Sequence, residues 1–285
     1  MALPQDYTRL SPDDTGPGPL AAGSRGGHNP TMSELPQPDT FTLSPIGVIE
    51  SDYPDKFGIP RQPGLAPASR AWLVLQPPFD DPLAVRGLEA FSHLWLTFVF
   101  HQSPERWTPL VRPPRLGGNA KVGVFASRST HRPNRLGQSL VKLCRVDTGR
   151  IDIAGIDKRA GVRLALTGCD LISGTPVLDI KPYLPWAEAL PDARAGYAPA
   201  PPPQLAVRFS AAAEATLATR ADAASLRELI RQVLAQDPRP AYHRKSAEER
   251  LYGVRLRDVD VRFQVESTAL TGRSGIHVIE IDIGN

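Results

Sequence analysis

Closely spaced metal ligands are missing from this chain. Its 285 residues include only two cysteines, Cys144 and Cys169, with no CxxC and no close pair among six histidines, so nothing presents a zinc site. Each cysteine sits in an apolar, strand-like run, which predicts buried thiols rather than a disulfide and fits a reducing cytoplasm. A phosphate cradle of the GxxxxGKS or GxxxxGKT kind is also absent. The early glycine cluster, GPGPLAAG at 16–23, lies in proline-rich sequence rather than after a strand, which argues against a Rossmann nucleotide fold. No serine occupies a GxSxG elbow. The longest apolar stretch, LWLTFVF at 94–100, is far too short to span a bilayer, and no charged start leads into an apolar signal core. Neither membrane insertion nor export is expected.

Negative charge is what one stretch lacks. Residues 106–146, RWTPLVRPPRLGGNAKVGVFASRSTHRPNRLGQSLVKLCRV, hold nine of the 33 Lys and Arg and none of the 30 Asp and Glu, leaving 24 basic against 30 acidic residues elsewhere. A face of one sign is costly unless something neutralises it, so the segment predicts an anionic partner, with nucleic acid the obvious one. KVGVFA (121–126) and SLVKLCRV (139–146) read as strands. Between them SRSTHRPNR reads as a loop, because ProAsn at 133–134 cannot continue a strand. This loop displays Arg128, His131, Arg132, Asn134 and Arg135. The bland alternative is a solvated loop of incidental arginines, against which stands the want of any balancing acid.

Residues 1–40 hold seven prolines and five glycines with almost no apolar pattern, and read as a disordered extension; Met32, just before the first strand-like run, is a candidate natural start. From 41 to 197 short strand-like runs follow one another at 41–51, 70–76, 94–100, 121–126, 139–146, 150–157, 161–168 and 175–181, with a short helix at 82–92. Many short strands without long helical patterns between them predict a mainly β fold, an antiparallel barrel or sandwich. APAPPPQ (198–204) is a polyproline-type hinge, and 205–285 reads as a small α+β domain. There Asp222 would cap a helix with Leu226, Leu229, Ile230, Val233 and Leu234 on one face, ended by Asp237 and Pro238 and followed by strands at 253–267 and 276–284. DPRPAYHRK (237–245) adds a second basic element with Arg239, His243, Arg244 and Lys245.

Some polar residues fall where a strand should bury itself. His101 and Gln102 close the LWLTFVF strand, where side chains point into a barrel mouth. His93 stands alone at its start and reads as structural. In FGIPRQPGL (57–65) Pro60 and Pro63 stiffen the backbone around Arg61 and Gln62, which then resembles a carboxylate clamp. Asp170, in TGCD after a strand, is placed either to accept from an amine or ribose hydroxyl or to cap a turn.

Taken together, FGIPRQPGL, VRGLEAFSHLWLTFVFHQ, RPPRLGGNAKVGVFASRSTHRPNRLG, DLISGTPVLDIKPYLP and VLAQDPRPAY resemble the TrmO family of TsaA-like tRNA methyltransferases, from about residue 44 to the C-terminus. The resemblance implies a single-sheeted β-barrel catalytic domain, S-adenosylmethionine as cofactor, and methylation of N6 of threonylcarbamoyladenosine beside the anticodon of threonine tRNA. It further implies cofactor contacts at Arg61, Gln62, Pro63, His101, Gln102, Arg128, Gln138, Thr167, Gly168, Cys169 and Asp170. RNA contacts are expected at Arg132, Arg135, Arg239, Arg244 and Lys245, with the small domain helping to hold tRNA, and a homodimer is implied. Where the family commonly reads RPNPIG this chain has RPNRLG, so Arg135 replaces a proline, and Gln138 stands where an apolar residue is common. No general base is required a priori, since methyl transfer from a sulfonium is a direct displacement that chiefly needs alignment. The other reading is a non-catalytic RNA-binding barrel, told apart by cofactor binding. A small-molecule hydrolase built on His101 is weaker, because no nucleophile accompanies it.

Overall fold

The structure is a computed structural model that describes residues 40–117, 119–153, 156–159, 161–240, 250–267 and 274–284. The expected extension, with Met32, lies outside the described residues except for Thr40. All helices and strands belong to one unit, Leu43–Asn285.

In chain order the first part contains β1 (Gly47–Ser51), β2 (Arg70–Leu75), β3 (His93–Val99), the two-residue strands β4 (Leu110–Val111) and β5 (Val122–Gly123), the long β6 (Leu136–Asp147), the hairpin β7 (Arg150–Ile153) and β8 (Ile156–Arg159), then β9 (Arg163–Thr167), β10 (Pro176–Pro182) and a single helical turn α1 (Pro185–Glu188). Six of these close an antiparallel barrel in the order β1-β10-β3-β6-β9-β2. Strand alternation fills it. Leu94, Leu96 and Phe98 of β3 are buried, as are Ile49, Leu73, Leu75, Val141, Leu164, Leu166 and Val177. β6 leaves room for β3 through Gly137, where a Cβ would stand 2.4 Å from the Phe98 ring.

The second part begins after residues 198–204, which carry no helix or strand. It comprises β11 (Ala206–Phe209), α2 (Ala211–Ala218), α3 (Ala223–Ala235), β12 (Tyr252–Leu256), β13 (Val259–Ser267) and β14 (Ser274–Ile283), in sheet order β11-β14-β13-β12 with β11 parallel to β14. Leu226, Leu229, Ile230, Val233 and Leu234 of α3 are all buried, packed in one cluster with Val254, Leu256, Val261, Phe263 and Val278 of the sheet. Tyr53 and Ala66, from the β1–β2 connection, join the same cluster. Barrel and lobe therefore share that connection.

Several sequence expectations are corrected. The 82–92 helix is two short 3-10 turns, Pro82–Val85 and Leu88–Ala90, separated at Gly87 with φ +87°. KVGVFA is a strand only at Val122–Gly123 and then a 3-10 turn, Val124–Ala126, because its partner β4 is bounded by Pro109 and Pro113, which offer no N–H to extend a ladder. The runs 150–157 and 253–267 each fold back into two strands. Asp222 stands at the start of α3 but caps no N–H, since Arg220 and Arg257 occupy its carboxylate. Cys144 is exposed and only Cys169 is buried, because Cys144 falls on the outward phase of β6 with Gln138 and Lys142 while Val141 and Leu143 turn inward; both thiols are free.

Candidate active site

In an antiparallel barrel alternate connections leave at the same end. At one end of this barrel β1 closes and β2 opens, β3 closes and β6 opens, and β9 closes and β10 opens. Three long connections, 52–69, 100–135 and 168–175, thus gather at one mouth. Arg61, Gln62 and Pro63 lie on the first, His101, Gln102 and Arg128 on the second, and Gly168, Cys169 and Asp170 on the third. Direct bonds stitch the connections together. Gly64 N–H donates to Gly168 O at 2.9 Å and Lys56 Nζ to Gln102 O at 2.6 Å, while the bond from Phe100 N–H to Arg135 O at 2.8 Å closes the base of the second connection itself. His101 Nε2 lies 4.0 Å from where Gly174 would carry a Cβ, so the second connection also packs on the third. Gly168 has φ +68°, and a Cβ there would press within 3.4 Å of Gly64 Cα; a larger residue would strain the backbone and push the first connection away.

The chemistry of the mouth centres on Asp170. Ser139 Oγ donates to Asp170 Oδ1 at 2.7 Å. Burial pushes the Asp170 carboxyl up to about 6, while the Ser139 hydrogen bond and the Arg128 charge pull it down. Burial, then the Lys56 ammonium, lowers His101, so its imidazole is neutral at pH 7. Burial pushes up both the Cys169 thiol and the Tyr53 hydroxyl, which stay protonated; Cys169 is therefore no nucleophile. At neutral pH the mouth offers an ionised carboxylate and a neutral imidazole as acceptors, with Arg128 and Lys56 as the cations beside them. Such a set suits a ligand bearing both an ammonium or hydroxyl group and a carboxylate. Ser139 was absent from the sequence-derived set. Its signal was there, as the polar residue on the inward phase of SLVKLCRV.

Two expected contacts stand elsewhere. Gln138 is exposed on the outer face of β6 opposite Thr97, and Thr167 lies on the outer face of β9 with Oγ1 3.5 Å from Cys144 Sγ. Alternation turns Ser139 and Leu166 inward instead, so only the backbone of Gln138 and Thr167 can serve the mouth. Among the expected RNA contacts, Arg132 binds its own loop, donating to Ser127 O at 3.0 Å and Val124 O at 3.4 Å, and places its guanidinium 5.9 Å from the ring of Phe125. Phe125 is 71% exposed. Arg135 takes φ +52° and approaches Glu105 only to 3.9 Å. Arg239 is 7% exposed and doubly bonded to Asp237, at 2.8 and 3.0 Å, so an internal carboxylate already engages its charge. Arg244 and Lys245 lie outside the described residues.

A hollow of about 360 Å³ also opens between barrel and lobe, lined by Glu50, Asp52, Arg70, Trp72, Asp222 and Arg257 among others. Arg257 pairs there with Asp52 and Asp222, which makes it a seam of internal ion pairs rather than the mouth. Among the described residues no group of three His, Cys, Asp or Glu is arranged to hold a metal, and no helix is long and apolar enough to cross a membrane.

Comparison with known proteins finds relatives across both parts of the chain. Residues 48–189 match the tRNA-methyltransferase O N-terminal domain, and residues 202–282 match the TrmO C-terminal domain. A tRNA (adenine(37)-N6)-methyltransferase of Escherichia coli K12 is 52% identical over 229 residues, 79% of this chain and 94% of that protein. A putative S-adenosylmethionine-dependent methyltransferase of Pseudomonas aeruginosa is also 52% identical over 229 residues, covering 79% and 92%. A crystal structure of TrmO from P. aeruginosa superposes with a TM-score of 0.67 at 45% identity, over 87% of this chain and 99% of that one.

Proposed function

The chain belongs to the tRNA-methyltransferase O family, and from that membership we propose that it is an S-adenosylmethionine-dependent methyltransferase acting on N6 of threonylcarbamoyladenosine next to the anticodon of threonine tRNA. The observation that carries this reading is the convergence of three connections at one barrel mouth, held by the Gly64 to Gly168 hydrogen bond. The donor set fits the cofactor's chemistry. Asp170 can accept from its ammonium or ribose hydroxyls, Arg128 or Arg61 can donate to its carboxylate, and the Gln62 and Gln102 amides can pair with the base. S-adenosylmethionine, when bound, supplies a methyl group on a sulfonium sulfur. The protein's part is orientation: the stitched connections fix the donors, and Asp170 and neutral His101 are the mouth's acceptors for a proton given up by the adenosine nitrogen.

The basic loop 128–135, which begins at Arg128, grips the phosphates of the anticodon arm, working in a homodimer in the cytoplasm. Arg239 takes no part in this reading, being bound to Asp237. The deciding experiment offers labelled S-adenosylmethionine and the purified protein to threonine tRNA prepared with and without the threonylcarbamoyl group, with nucleosides identified by mass spectrometry. Methylation of the threonylcarbamoylated tRNA alone is expected. Binding of both RNAs without label in either would leave the non-catalytic RNA-binding barrel as the better account. RNA affinity should also fall steeply as salt rises.

A further inference from the structure

We propose that Ser139 is a positioning residue of this mouth, its hydroxyl holding the Asp170 carboxylate in one orientation and in its charged form, so that Asp170 can accept hydrogen bonds from a bound nucleoside cofactor. The assignment rests on the methyltransferase reading of the same site and adds to it a residue that none of the sequence motifs marks.

Geometry separates this serine from its neighbours. The third connection is already held in shape by other groups: Ser51 Oγ donates to Leu171 O at 2.7 Å, Ser69 Oγ to Cys169 O at 3.2 Å, Thr175 Oγ1 to Ile172 O at 2.6 Å, and Ser173 N–H to Tyr53 O at 2.9 Å. Each of those bonds serves the backbone. Ser139, 2% exposed on the inward phase of β6, gives its proton to a side-chain carboxylate instead. Bonds that fix the turn's path exist without it. What its hydroxyl adds is control over one carboxyl group.

The charges around Asp170 show why that control matters. Arg128, from the second connection, is the cation that lowers it. Cys169 on the same turn and Tyr53 from the first connection face it as neutral groups, and Asp52, which also acts on Tyr53 and Cys169, is paired with Arg257. His101, on the second connection, is neutral and flanked by Lys56. With its carboxyl near 6, Asp170 is mostly ionised at pH 7, but narrowly. Losing a hydrogen bond to a charged carboxylate raises such a group by roughly one to two units, which would leave it between half and mostly protonated at neutral pH.

The test uses full-length protein with Ser139→Ala and with Ser139→Cys, a same-sized but weaker donor that keeps the idea testable should the alanine variant fold poorly. The Asp170 carboxyl is titrated by carbon-13 NMR in the unliganded protein, and binding of S-adenosylhomocysteine is measured by calorimetry from pH 5.5 to 9. In Ser139→Ala the carboxyl should titrate roughly one to two units higher, affinity at pH 7 should drop about two- to tenfold, and alkaline pH should restore it; Ser139→Cys should lie between. A merely structural serine would lower affinity at every pH alike. An unshifted carboxyl, or a loss that alkali does not repair, overturns the proposal. Should the wild-type protein bind no S-adenosylhomocysteine at any pH, the cofactor reading fails on its own, and the carboxyl titration still decides what Ser139 does.

Discussion

A carboxyl group that must be charged in a desolvated place costs stability, and Asp170 sits in such a place. Its folded value of about 6 lies above the ordinary 3.8, so the folded state holds its proton more tightly than the unfolded state does. Stability from this group is therefore fully present below about pH 4, declines as pH rises toward 6, and stays lower above that. Asp170→Asn keeps an oxygen for Ser139 to donate to while removing the charge. Thermal unfolding should show the variant more stable than wild type at pH 7 to 8, by on the order of 3 kcal/mol, with the difference vanishing near pH 4. Cofactor affinity should fall in the same protein. A variant no more stable than wild type at pH 7 to 8 would mean that the charge carries no folding penalty. His101 shifts the other way, downward through burial and Lys56, so these two acceptors are both mostly deprotonated at pH 7.

Among the elements, the 3-10 turn Val124–Ala126 and the loop behind it present Phe125 to solvent with Arg132 fixed beside it, a pairing that offers both an aromatic face and a positive charge. Base stacking on an exposed aromatic is worth about 1–3 kcal/mol. Phe125→Ala should accordingly raise the KM for tRNA about tenfold while leaving S-adenosylhomocysteine affinity unchanged, and Phe125→Trp should retain the wild-type value. Unchanged RNA kinetics in the alanine variant would remove the ring from the RNA path. One turn further on, Arg135 holds φ +52° and donates its N–H to Arg132 O at 3.1 Å; proline, common at this place in the family, can do neither. Arg135→Pro should thus lower the melting temperature by several degrees, whereas Arg135→Gly should be tolerated. These details were illegible in sequence for a physical reason. Period-2 alternation foretold β3, β6 and β10 because burial on one face dictates it, and the α3 stripe foretold the lobe's helix in the same way. KVGVFA alternates just as well, yet its partner strand is two residues long and bounded by prolines, a limit imposed from outside the run. The inward Ser139 was visible as a break in an apolar phase, but its partner Asp170 is 31 residues away and only the closed barrel joins them.

At the scale of the whole molecule, one arginine ties the barrel to the lobe and explains a turn that sequence reading passed over. Arg257 interrupts what looked like one long strand, taking φ +55° in a turn with neither glycine nor proline. Tertiary bonds offset that conformation. Its Nε lies 3.0 Å from Asp52 Oδ1, its Nη1 2.8 Å from Asp222 Oδ2 and 3.0 Å from Ser225 Oγ, and its N–H donates to Asp52 O at 2.9 Å. Asp52 in turn accepts from Arg70 N–H at 2.8 Å, so a single guanidinium links the end of β1, the start of β2, the start of α3 and the β12–β13 turn. The first connection runs beside this latch and is also held by α3, since Ala68 N–H donates to Gln232 Oε1 at 2.8 Å. Removing one partner of a buried ion pair costs roughly 3–5 kcal/mol, because the other is left charged and unpaired. Arg257→Ala should therefore lower the melting temperature, and Arg257→Lys, which cannot reach both carboxylates in a fork, should recover only part of it. The consequence at the mouth is more specific. If the latch positions the connection that carries Arg61, Gln62 and Pro63, amide exchange at Gly64, whose N–H spans to Gly168 O, should quicken in Arg257→Ala beyond the change seen at core amides of β3, and cofactor affinity should fall with it. Uniform acceleration across both would reduce the latch to a contributor to global stability. Selective acceleration would make the lobe a support for the barrel's mouth, a reason for the two parts to remain on one chain.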